Sequence, residues 1–181
     1  MARWLKNRRR RIRRFSKKHG MSKFTLDKLS FNEQDGKDIA DFLARYFHAE
    51  HSLDGGKSPK IHWGKTSWQI NNVLLKGIVY VVRKNENIIG TLGLKECSHW
   101  WSDDAFIGDT WFFVRPEFRN VKDDVKPSNM LLEAGMKYAE EQNLPLIMGI
   151  YNVGSLDKAE KLLLNKGFHQ IGGTYYNGIN R

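Results

Sequence analysis

Apolar positions along this chain change period several times. "KFTLDKL" (23–29) alternates as a short strand does, whereas Ile39, Phe42, Leu43, Tyr46 and Phe47 recur at helical spacing through residues 34–49. A polar, glycine-containing stretch from 51 to 60 reads as a loop. Residues 66–76 predict a second helix, with Trp68 and Val73 to Leu75 as apolar contributors and Gly77 as its stop. "GIVYVVRKNENIIGTLGLKEC" then predicts two strands folded about Asn85-Glu86-Asn87. "AFIGDTWFFVRP" predicts a third, ending where Pro116 cannot donate to a ladder.

A helix over about 128–142 carries Met130, Leu131, Ala134 and Tyr138. The buried strand "LPLIMGIYN", a helix over 155–166 closed by Gly167, and a last strand "FHQIGGTYY" complete the pattern. Antiparallel strands first, then a strand-helix-strand crossover, predict an α/β (mixed α+β) fold. Its sheet is mostly antiparallel with one parallel crossover, and helices cover both faces.

Composition matters mainly through where the charge sits. The formal net charge is +10, yet of the 30 Lys and Arg, ten lie in residues 1–20, where there is no acid. The other 20, in residues 21–181, are matched by all 20 Asp and Glu. The expected organisation is an arginine-rich arm (1–20) followed by one domain (21–181). Six arginines, Arg8, Arg9, Arg10, Arg11, Arg13 and Arg14, fall within seven positions and suit nucleic acid or an acidic protein surface, through phosphate neutralisation and counterion release. A helical arm would group Trp4, Leu5, Ile12 and Phe15 on one stripe interrupted by Arg8, which leaves membrane-surface association as the alternative. Cys97 is the sole cysteine, so no intramolecular disulfide is possible; it reads as a small packed residue. The absence of a long apolar run and of a secretory pattern leads to the expectation of a soluble, cytoplasmic protein.

"WFFVRPEFRN" (111–120) and "SLDKAEKLLLNKGFHQIGGTYY" (155–176) carry a resemblance. The first is similar to the apolar strand ending V-x-P-x-[YF]-R, and the second to the A-x-x-x-Y-x-x-x-G-F segment, of the GCN5-related N-acetyltransferase (GNAT) superfamily. The element order over about 23–176 resembles it too. The resemblance implies transfer of an acetyl or other acyl group from acyl-CoA to an amine, with the thioester in a gap between strands 106–115 and 144–152. Backbone amides near Phe113 and Val114 would polarise its carbonyl. Two departures stand out. The family's glycine-rich turn after the arginine is replaced by "RNVKDDVKPSNMLLEAG", with no glycine before Gly135 and with Pro127 lacking an amide donor. Arg119, Lys122 and Lys126, with the helix-start amides of Ser128 and Asn129, are then the candidates for phosphate, partly offset by Asp123 and Asp124. Counting four from Ala159 reaches Leu163 where the family frequently has a general-acid tyrosine. A scaffold without catalysis, working as a binding or assembly protein tethered by the arm, is the alternative; small bacteriophage and virion proteins of acetyltransferase-like sequence are a precedent for it.

Asp109, inside the third strand, is the candidate general base if it is half-buried beside Trp111 and Phe112; otherwise it is an ordinary edge carboxylate. His48 and His51, three apart on a helix end with Glu50 between them, could meet a metal ion, but the sequence offers no obvious third ligand, and no metal is expected. His62-Trp63 and His99-Trp100-Trp101 either line an acceptor cleft or simply pack.

Overall fold

The computed structural model describes residues 24–50, 60–121, 125–150 and 156–172. The arm, and with it Arg8 to Arg14, lies outside the described residues. Strand β1 (Thr25–Leu29) leads to helix α1 (Glu33–Phe42), which continues through a π-helical turn (Leu43–Phe47) and a last α-turn (His48–Glu50). Helix α2 (Trp63–Lys76), strands β2 (Gly77–Lys84), β3 (Asn87–Ser98) and β4 (Ala105–Val114), and a 3₁₀ turn (Pro116–Phe118) follow. Helix α3 (Pro127–Gln142), strand β5 (Leu146–Ile147) and helix α4 (Leu156–Asn165) complete the order. Among the described residues no helix is long and apolar enough to cross a membrane.

The sheet runs β1-β2-β3-β4-β5, antiparallel through β4 and parallel only between β4 and β5. At the β2–β3 hairpin Asn85 and Glu86 both take positive φ, 49° and 67°. Two consecutive residues of that kind give the turn whose twist matches the strands it joins, and Arg83 Nη1 braces it by donating to Glu86 O at 2.9 Å. β2 is apolar almost throughout because both sheet faces are covered. Val79 and Val81 meet Ile39 and Val73 of α1 and α2, while Ile78 and Val82 share a second core with Leu92, Leu94 and Leu131 of α3.

One irregularity governs β4. Gly93 pairs with Trp111 but Leu94 pairs with Asp109, so Thr110 is an extra residue on β4. The bulge reverses the facing of everything beyond it. Ile107 packs with Val114 in the α3-side core, whereas Trp111 and Phe113 turn to the α1/α2 side. The displaced Thr110 hydroxyl is buried and has no hydrogen-bond partner among the described residues. Trp111 lies across Gly93, Nε1 donating to Thr91 Oγ1 at 3.2 Å, and Thr91 in turn donates to Tyr80 O at 3.0 Å. The fully buried Thr91 is thereby satisfied.

Four expectations need correction. The helix over 34–49 is not one regular helix: His48 N–H reaches Leu43 O, five residues back. Among the described residues of the expected strand 144–152, β5 covers only 146–147, because Leu144 N–H is used in closing α3 against Ala139 O and Gly149 N–H turns to the Asp109 carboxylate instead of a ladder; positions 151–152 lie outside the described residues. Residues 168–172 of the expected last strand are irregular: Gly167, at φ 86°, ends α4 and Phe168 N–H folds back to Leu163 O. Positions 173–176 lie outside the described residues. α2 starts at Trp63, earlier than residue 66, because His62 Nδ1 accepts from Lys65 N–H at 3.1 Å and caps it.

A Cβ at Gly93 would lie 2.4 Å from the Trp111 ring, which cannot move without leaving its hydrogen bond. Gly93→Ala is expected to destabilise the fold by about 2–3 kcal/mol, read from denaturant unfolding; a change under about 0.5 kcal/mol would show that Trp111 is not held there.

Candidate active site

Beyond the bulge β4 and β5 part. Their parallel pairing ends at Gly108 and Ile147, and the space that opens is a cavity of about 1200 Å³. One wall is β4 from Asp109 to Val114, the opposite wall is α4, and the start of α3 closes one end. Arg115 N–H bonds Ile89 O on β3, so by the alternation of an antiparallel strand the N–H groups of Val114 and Phe112 face the parted edge. Of the two amides expected to polarise a carbonyl, Val114 is therefore turned to the cavity. Phe113 is turned to β3, and its ring packs edge-on against Phe42 and Phe47 in the α1/α2 core.

The α3 end presents positive potential. Lys126 occupies the N-cap position and no side chain caps the helix; Pro127 has no N–H, and Met130 N–H closes on Lys126 O. The amides of Ser128 and Asn129 are the first-turn donors left over, and both residues line the cavity with Lys126. Arg119 reaches the same cavity. Its Nε donates to Val114 O at 2.7 Å and its Nη2 to Glu50 Oε2 at 2.6 Å, with the guanidinium 5.1 Å from the Phe113 ring centre. Lys122, Asp123 and Asp124 lie outside the described residues.

Asp109 sits where the strands separate, accepting from Gly149 N–H at 2.7 Å. Burial raises its carboxyl from the ordinary 3.8 to about 6, against the opposing effect of that hydrogen bond. A base of this strength loses its proton just below neutrality. Across the cavity stand Lys158, Ala159, Lys161, Leu162 and Leu163, so the position of the absent tyrosine does face the cleft. Lys166 Nζ ties α4 to Glu133 of α3 at 2.6 Å.

Other expected residues are placed elsewhere. His62 is a helix cap, and Trp63 is exposed. His99 stacks on Trp101 at 4.6 Å in the β3–β4 loop, where Trp100 is 91% exposed; none of these residues lines the cavity. Cys97 is half-buried on β3 beside Gly108. His51 lies outside the described residues. Glu50, considered with the histidines for a metal, is instead the partner of Arg119; its role here, like that of Gly149, had no signal in local spacing. The Lys158–Lys161 interval was a helical i,i+3 pair that could have been read.

The folded chain holds the Asp109 proton more tightly than the unfolded chain. The group therefore costs nothing below pH about 4 and exacts its full penalty, about 3 kcal/mol, above pH about 6. Asp109→Asn keeps an oxygen for Gly149 N–H and removes the titration. The stability of this variant relative to the parent is expected to rise by that amount between pH 4 and pH 7.5; a pH-independent difference would mean an unperturbed carboxyl.

No family model matches the chain, and no curated protein matches it. Solved structures do. A predicted acetyltransferase with acetyl-CoA from Clostridium acetobutylicum is 15% identical with a TM-score of 0.63, over 86% of this chain and 96% of that one. The ribosomal-protein-alanine N-acetyltransferase of Brucella melitensis biovar Abortus is 13% identical with a TM-score of 0.58, over 87% and 99%. The aminoglycoside N-acetyltransferase AAC(6')-Iy in complex with CoA is 11% identical with a TM-score of 0.58, over 91% and 99%. With its five-stranded, mostly antiparallel sheet, one parallel pair and flanking helices, this chain has the fold of the GCN5-related N-acetyltransferases.

Proposed function

We propose that the protein is an acyl-CoA-dependent N-acyltransferase. The observation that carries this reading is the cavity between β4 and α4, opened by the Thr110 bulge and ending at the uncapped start of α3. The residues present fit a thioester of CoA: two helix-start amides and Lys126 suit a diphosphate, and the parted strand edge suits an extended amide chain. Solved neighbours of this fold are complexes with acetyl-CoA or CoA, which supports the same ligand class.

Bound acyl-CoA would supply an activated acyl group as a thioester. Ser128, Asn129 and Lys126 would hold its phosphates, and Arg119 would add charge beside them. The Val114 N–H, facing the cavity, would take the carbonyl oxygen and the negative charge that grows on it as an amine adds. Asp109 would receive the proton that the attacking nitrogen gives up. Leu163 can donate nothing to the departing sulfur, but a thiol of pKa about 8.5 leaves far more readily as its anion than an alkoxide or amide does, so a missing acid is a smaller handicap here than in ester or amide cleavage.

The arm supports a second, compatible reading. With six arginines in seven positions and a body of balanced charge, residues 1–20 would bind the phosphodiester backbone of nucleic acid and tether the domain, with or without catalysis.

Acetyl-CoA titrated into the full chain is expected to bind saturably below about 1 mM, and Lys126→Glu to weaken it about tenfold, a loss of roughly 1.4 kcal/mol. No saturable binding at millimolar ligand would end the acyltransferase reading. For the arm, a mixed-sequence duplex should bind with log K falling against log salt at a slope of about −4 or steeper, and removal of residues 1–20 should abolish this. Equal, equally salt-sensitive binding without the arm would refute the tether.

A further inference from the structure

The guanidinium of Arg119 is already engaged. Val114 O holds its Nε at 2.7 Å, Phe113 lies under its plane, and Glu50 Oε2 takes Nη2 at 2.6 Å. The two ion-paired side chains are 26% and 23% exposed, so the pair is partly shielded from water. Glu50 reaches this place because of the π-helical turn at Leu43–Phe47, which alters the angular position of everything after it and seats Phe47 on Phe113 at 5.7 Å. Both Phe47 and Glu50 line the same cavity as Lys126, Ser128 and Asn129. A carboxylate at the positive end of a cleft opposes a polyanionic ligand, and its Oε2 takes an Arg119 N–H that a phosphate oxygen would otherwise accept.

We propose that Glu50 is a specificity-determining residue of the phosphate end. Its carboxylate occupies the face of Arg119 that the diphosphate of an acyl-CoA takes, and binding exchanges one anion for the other while the Nε–Val114 O bond keeps the guanidinium in position. This rests on the acyl-CoA reading above. Its consequence is that the cleft binds CoA less tightly than its amides and cations allow, and that a ligand without phosphates meets no such competition.

Calorimetric titration of the full-length chain with CoA and, separately, with pantetheine tests it. Glu50→Gln removes the charge at nearly constant volume, and Glu50→Ala provides a second variant should the first fold poorly; melting curves check both. Each is expected to bind CoA about five- to tenfold more tightly than the parent, with pantetheine affinity unchanged. Unchanged or weaker CoA binding in the variants overturns the proposal while leaving the acyl-CoA reading intact. Equal tightening of CoA and pantetheine also overturns it, since the effect would then be a general opening of the cleft. If neither parent nor variants bind CoA, the acyl-CoA reading falls and this inference with it.

Discussion

A sheet cannot hold a ligand against a strand edge while that edge is paired to a neighbour. In this molecule the requirement is met by one surplus residue: Thr110 breaks the register of β4 against β3 at the position where β4 leaves β5. The strand side of the candidate site follows from that bulge. It turns Trp111 and Phe113 into the α1/α2 core, and it leaves the Asp109 carboxylate, on a residue still paired with Leu94, to accept from Gly149 N–H. The Val114 N–H, facing away from β3, belongs to the edge that β5 has left. The bulge has local costs, a buried hydroxyl without a partner among the described residues and a glycine at 93 where the indole must lie flat.

The same geometry sets the proton affinity of the proposed base. Asp109 is withdrawn from water by the body of the sheet yet reaches the cavity, and the Gly149 N–H just past β5 bonds to it. Burial outweighs that hydrogen bond, so its proton affinity lies near neutrality rather than in the ordinary carboxylate range. At the other end of the cleft helix α3 offers amides without the glycine-rich turn that often precedes such a site, because Pro127 starts the helix and Lys126 takes the N-cap position with no capping side chain.

Much of this was legible in the order of residues. The hairpin at Asn85-Glu86, the doubly buried β2, the stop at Gly77 and the long α3 each follow from local periodicity and turn chemistry. The bulge did not, and the reason is specific. Ile107, Trp111 and Phe113 occupy odd positions and read as one face of a continuous strand, whereas Ile107 belongs to one core and the two aromatics to the other. A shift of register leaves no trace in a pattern of period two when apolar residues occur on both sides of it. The π-turn escaped for a similar reason: Phe42, Leu43, Tyr46 and Phe47 satisfy an α-helical spacing, and only the hydrogen bond from His48 reveals the added residue. The Arg119–Glu50 contact spans 69 positions, beyond any local signal.

Helix α4 stands apart energetically. Among the described residues, none from α4 belongs to either buried core; it faces the cavity with Lys158, Ala159, Lys161, Leu162 and Leu163 and is moored to α3 through Lys166 and Glu133. The far side of the cleft and the bulk of folding stability are therefore built from different residues. Over evolutionary time that separation leaves one wall open to sequence drift: the molecules it admits can be exchanged while the body that holds the opposite strand in place stays intact.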